Sequence, residues 1–111
     1  MRYMKNVGDN GEEFAARLLE DMGYTILEKK FYTHYGEIDI VASKDGILHF
    51  IEVKTRTSNT YGYPADAITE SKKKKLKQAV EIYMSRRRPF WRGYTLDVFE
   101  IMANLFVDCI G

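Results

Sequence analysis

The stretch GEIDIVASKDGILHFIEVKTR, residues 36–56, constrains the fold more than any other part of the chain. Residues 36–43 and 47–56 are rich in β-branched side chains and alternate in polarity, so both are expected as strands. Between them stands Asp45-Gly46, a dipeptide suited to a two-residue turn whose central residues both need positive φ. If that turn joins the strands, Lys44 opposes Ile47 and the remaining pairs follow by counting. Val41 falls opposite Phe50, Ile40 opposite Ile51, Asp39 opposite Glu52, Ile38 opposite Val53, and Glu37 opposite Lys54. Directly opposed residues share a sheet face. The register therefore predicts an almost wholly apolar face of Ile38, Ile40, Ile51 and Val53, and a second face with three carboxylates and a lysine at one end. A one-residue slip would place those charges among the isoleucines.

Opposed like charges destabilise a hairpin, so Asp39 and Glu52 call for a compensating charge. A divalent cation is the candidate, because hard ions such as Mg²⁺ take carboxylate oxygens and keep several waters. Lys54 lies two residues beyond Glu52 and projects to the same side. There it can orient or deprotonate an attacking water, or stabilise charge on a phosphate. The competing reading is a solvated hairpin end in which Glu37 and Lys54 form a cross-strand ion pair.

The remaining elements follow from periodicity. Residues 12–22 place Phe14, Ala15, Leu18, Leu19 and Met22 on one helical stripe, with Asp9 or Asn10 as the cap and Gly23 at the C-terminal stop. Residues 24–31 are expected as a first strand. A turn at Pro64 precedes a second helix over 69–87, whose stripe is Leu76, Ala79, Val80, Tyr83 and Met84. Residues 94–102 are expected as a strand, with a short one over 104–109. A crossover from strand 47–56 through the second helix allows strand 94–102 to pair parallel to it.

The formal net charge of +1 hides a segregation. Residues 54–92 carry 11 Lys/Arg against 3 acids, and the rest of the chain 6 against 13. Lys72, Lys73, Lys74, Lys75 and Lys77 crowd one helix. They form either a solvated face or a surface for a polyanion, with Arg56 as a further phosphate contact or a solvated strand end. There is no run of about 18 apolar residues, so no membrane span is expected. The first residues lack the apolar stretch and cleavage site of a secretory signal, and the single Cys109 excludes an internal disulfide or a zinc-type cluster. The expectation is one cytoplasmic domain over residues 1–111. His34 and His49 lack metal-ligand spacing, and His49 falls on the apolar side as a packed histidine. Tyr61, Tyr63 and Trp91 are candidates for core packing or for stacking on bases.

The motifs GEIDIVA and FIEVKTR around a short hairpin resemble the core of the PD-(D/E)xK nucleases. Taken with GDNGEEFAARLLEDMGYTIL, YGYPADAIT, KKKKLKQAVEIYM and YTLDVFEI, most of the chain resembles the YraN-like family of bacterial endonuclease-fold proteins. The resemblance implies an α/β, restriction-endonuclease-like three-layer fold, with a central mixed sheet flanked by helices. It implies a metal site of Asp39, Glu52 and Lys54 using Mg²⁺ or Mn²⁺, with Ile38-Asp39 standing where many relatives have Pro-Asp. Some such nucleases add a glutamate from the first helix, and Glu12 matches it. At about 100° per residue Glu12 borders the core-facing stripe and Glu13 points to solvent. Glu12 is equally readable as a first-turn acid favoured by the helix dipole. The implied activity is metal-dependent hydrolysis of nucleic-acid phosphodiesters, DNA first and branched or structured DNA among the substrates. A non-catalytic nucleic-acid-binding module and a protein-interaction module are the alternatives. Cutting both strands of a duplex would take a homodimer or two encounters.

Overall fold

The first helix, α1, runs Val7–Asp21 and starts earlier than its capping signals suggested, so Asp9 and Asn10 are helical residues. The computed structural model describes residues 7–56, 69–87 and 91–102. The helix stops where expected. The Tyr24 amide donates to the Leu19 carbonyl at 2.9 Å and the Gly23 amide to the Glu20 carbonyl at 3.0 Å. These paired bonds need a residue at positive φ, and Gly23 sits at +96°. Gly23→Ala is expected to cost about 1–2 kcal/mol, since a Cβ is strained in that region. A urea midpoint equal to that of the wild type would show that the chain ends this helix another way.

The buried face of α1 is Gly11, Ala15, Ala16 and Leu19, not the larger stripe expected, for Phe14 is 38% and Met22 55% exposed. The small residues let the helix lie close to the sheet. A Cβ added at Gly11 would overlap the Thr55 hydroxyl.

Three strands follow: β1 (Thr25–Thr33), β2 (Gly36–Lys44) and β3 (Ile47–Arg56). Asp45 and Gly46 both have positive φ, 55° and 80°, as the two-residue turn requires. Helix α2 (Glu70–Arg87) and strand β4 (Gly93–Met102) complete the described chain. The Thr69 hydroxyl accepts the Lys72 amide at 3.1 Å and caps α2. The sheet order is β1-β2-β3-β4, antiparallel except for the parallel β3–β4 pair. The expected α/β fold with a mixed sheet is the one observed. The Pro64 turn, the strand over 104–109, Tyr61, Tyr63 and Cys109 lie outside the described residues.

Both faces of the hairpin are covered. Ile40, Ala42 and Ile51 pack with Ala15, Ala16 and Leu19 of α1. Ile38, Val41, Leu48 and Phe50 pack with Ala79, Val80 and Tyr83 of α2. Ile38 and Ile40 thus belong to different clusters, although strict alternation would keep them together. Strand β1 changes face at the same level. Lys30, at φ +55°, falls between the Lys29–Ile40 and Phe31–Ile38 pairs and shifts the phase of the strand. Phe31 then packs with Ile38 and meets Tyr83 edge-on at 5.1 Å. Asp39 is the residue of β2 at which this change occurs. Among the described residues no helix is long and apolar enough to cross a membrane.

Candidate metal centre and its basic flank

The β2–β3 ladder follows the expected register from Lys44–Ile47 as far as Ile40–Ile51 and stops there. Asp39 does not enter the ladder opposite Glu52. Its Oδ2 instead accepts the Val53 amide at 2.8 Å. The side chain occupies an amide that a backbone carbonyl would otherwise take, so the strands part and leave room between their ends.

Into that end come three carboxylates. One oxygen each from Glu12, Glu37 and Asp39 lies within 4.8 Å of the others. Asp39 is 7% exposed. Burial pushes its carboxyl up to about 6, and the charges of Glu52 and Glu37 push the same way, while the Val53 amide and Lys72 pull against them. Glu12 arrives from α1 because Gly11 and Ala15 hold that helix close. Its Oε1 lies 3.8 Å from Lys30 Nζ. Glu13 turns outward to Lys29 at 2.9 Å, as its helical angle predicted.

Glu52 does not join this trio. Its Oε2 meets Lys72 Nζ at 2.9 Å and Lys54 Nζ at 3.6 Å. Lys54 therefore pairs with Glu52, and not with Glu37 as in the competing reading of a solvated hairpin end. The hydrogen bond to Lys72 holds the Lys54 ammonium below the usual lysine range, burial adds to this, and Glu52 opposes it. Lys72, nearer the carboxylate, is held above that range. Two ammonium groups cannot donate to each other, so Lys54 is the one placed to give up its proton.

The family described as Uncharacterised protein family UPF0102 matches residues 11–103. The chain belongs to that family. Its relatives include a UPF0102 protein of Clostridium perfringens (strain 13 / Type A), 41% identical over 96% of this chain and 86% of the relative. Another, from Syntrophomonas wolfei subsp. wolfei, is 42% identical over 90% and 87%. Among solved structures, AF1548, a protein of unknown function, aligns with a TM-score of 0.43 at 22% identity, over 92% of this chain and 53% of its own. The YraN-like resemblance read from the motifs is thus borne out at the level of the family.

In this UPF0102 chain the other basic residues divide. Lys73, Lys74, Lys75 and Lys77 are exposed along α2, and Lys73 lies 3.3 Å from Glu70. Lys72, expected on that same outward face, turns into the site. Arg56 ends β3, and its side chain lies outside the described residues. His49 is the packed histidine expected, bonded through Nδ1 to Asp97 at 3.0 Å and Thr95 at 2.8 Å. Sequence reasoning missed two participants. Glu37 reads as the partner of Lys54, although a third acid two residues before Asp39 is signal enough to consider it for the metal. Lys72 is one of four consecutive lysines, and nothing in the run distinguishes the inward one.

Proposed function

We propose that this protein is a Mg²⁺- or Mn²⁺-dependent, endonuclease-like hydrolase of nucleic-acid phosphodiester bonds, acting on DNA, branched or structured DNA included. The observation that carries this reading is the meeting of Glu12, Glu37 and Asp39 beside the Glu52–Lys54–Lys72 cluster. The donor set suits the ion: three hard carboxylate oxygens close together, one of them buried, so that its charge at neutral pH is held at a cost a cation would relieve. Glu12, Glu37 and Asp39 would hold it. When bound, such an ion polarises a phosphoryl oxygen and lowers the pKa of its water.

The protein's own groups supply the rest. Lys54, held below the usual lysine range, is suited to take a proton from the attacking water, and the leaving oxygen takes its proton from solvent on the opposite side. Glu52 fixes Lys54 and Lys72 in place. Lys72 adds positive charge where the phosphate gains negative charge. The exposed lysines of α2 lie on the same element as Lys72 and would bind the flanking backbone through point charges, without reading sequence.

One observation favours a second reading, a nucleic-acid-binding module without turnover. Glu52 is engaged by two lysines, and a ligand set lacking it serves binding as well as cleavage. The separating experiment is a cleavage screen with Mg²⁺ or Mn²⁺ over duplex, flap, four-way-junction and single-stranded substrates, with Lys54→Ala as control. No cleavage of any of them would leave the binding module ahead.

The lysine face has its own test. Lys73→Gln with Lys74→Gln should weaken binding alike on unrelated sequences. The dependence of log K on log salt should flatten by about two units, near one for each phosphate no longer neutralised. An unaltered slope would leave these lysines as a solvated helix face.

A further inference from the structure

Next to the acid trio is a cleft of about 330 Å³ between the β1–β2 turn and α2, lined among others by Tyr35, Glu37, Glu52, Lys72, Lys75 and Leu76. Resting on the nuclease reading, we propose that this cleft takes one unpaired nucleotide, whose base stacks on Tyr35 while its phosphate meets Lys72 and Lys75. The substrate class is then nucleic acid with an unpaired nucleotide at the site, and continuous duplex is excluded.

Three observations carry the proposal. The cleft is at the small end of the range for ligand pockets, the scale of one nucleotide and too small for a base pair with its backbones. Its lining combines the two kinds of group a nucleotide needs: the Tyr35 ring with Leu76 and Ala79, and the ammonium groups of Lys72 and Lys75, with Glu37 and Glu52 also on the wall. The turn that presents the ring is fixed. The Tyr35 amide donates to Thr33 Oγ1 at 3.1 Å, and that hydroxyl donates to the Gly36 carbonyl at 2.8 Å. Tyr35 also lies 4.1 Å from the His34 ring, centroid to centroid, and Tyr32 on the same hairpin is 66% exposed. Tyr35 keeps 37% of its surface open beside His34, so these rings offer faces on which any base can stack. A base inside a duplex has both faces covered by its neighbours and cannot enter.

The test measures binding in Ca²⁺ of single-stranded, flap and duplex oligonucleotides carrying 2-aminopurine, as DNA and as RNA, to the wild type, Tyr35→Phe and Tyr35→Leu. Tyr35 is exposed at a turn and belongs to neither core cluster, so both variants should fold. Wild type and Tyr35→Phe should quench the fluorophore in single strands and flaps. Tyr35→Leu should bind those about 5–150-fold more weakly, the range expected for one base–aromatic stack, with duplex binding changed less than about twofold. Equal losses on duplex and single strand, or no loss on either, would overturn the nucleotide site while leaving the nuclease reading in place. Failure of every oligonucleotide to bind would overturn both.

Discussion

Replacing Lys54 with methionine is expected to lower the single-turnover rate of nucleic-acid cleavage by about 10²–10³, the usual cost of removing one group that acts on developing charge. Methionine keeps much of the apolar stem and removes the ammonium. Binding measured in Ca²⁺ should change far less, because a group used in the transition state contributes little to the ground state. The neighbourhood sharpens the test. Lys72 keeps its 2.9 Å bridge to Glu52 when Lys54 is gone, so the site retains a cation and loses only the one held below the normal lysine range. If Lys54 merely completes a half-exposed ion pair, its removal should cost at most about 1 kcal/mol of stability and nothing specific in rate. Lys72→Met serves as the comparison. It should return Lys54 toward its ordinary pKa and shift the rising limb of the pH–rate profile to higher pH, whereas Lys54→Met should abolish that limb. A wild-type single-turnover rate in Lys54→Met would remove the residue from the mechanism.

How much of this site the chain announces depends on the range of the interactions that build it. The Asp45-Gly46 turn is local chemistry, and it determines the register through Ile40–Ile51 without knowledge of anything else. Where the ladder ends is not local. It depends on the Asp39 carboxylate taking the Val53 amide, beside a change of face that β1 makes at Lys30, a residue that carries none of the glycine or asparagine signal expected at positive φ. The face of α1 is hard to read for a related reason. Phe14 and Met22 dominate any hydropathy pattern, but close approach to β3 rewards Gly11 and Ala15, whose own hydrophobicity is slight. Glu12 is legible all the same, because it borders either stripe. Lys72 and Glu37 are legible as charges and not as partners, since only the fold decides which lysine of a run turns inward and which acid an ammonium prefers.

Asp39→Asn should give responses of opposite sign with and without metal. In the metal-free protein the Asp39 carboxyl sits at about 6, against an ordinary value of 3.8. A carboxyl raised in the folded state binds its proton more tightly there than in the unfolded chain. Its contribution is fully present below the ordinary value and is lost as pH rises through about 6, so the ionised group destabilises the fold at neutral pH. A shift of roughly two units corresponds to about 3 kcal/mol at most. Asparagine has no charge to desolvate, and its carbonyl can still accept the Val53 amide. The metal-free variant should therefore be more stable than the wild type above about pH 6, by about 2 kcal/mol, and the difference should vanish toward about pH 4. Saturating Mn²⁺ reverses the order. At about 100 times its dissociation constant an ion that binds only the folded state adds about 2.7 kcal/mol, and the wild type alone should receive most of it. The Mn²⁺ affinity of the wild type should fall as pH drops below about 6, as the proton and the ion compete for Asp39. Urea titrations at about pH 4.5 and 7.5, each with and without Mn²⁺, read all four values. A variant less stable than the wild type in the absence of metal, or one stabilised equally by Mn²⁺, would show that Asp39 holds Val53 and nothing more.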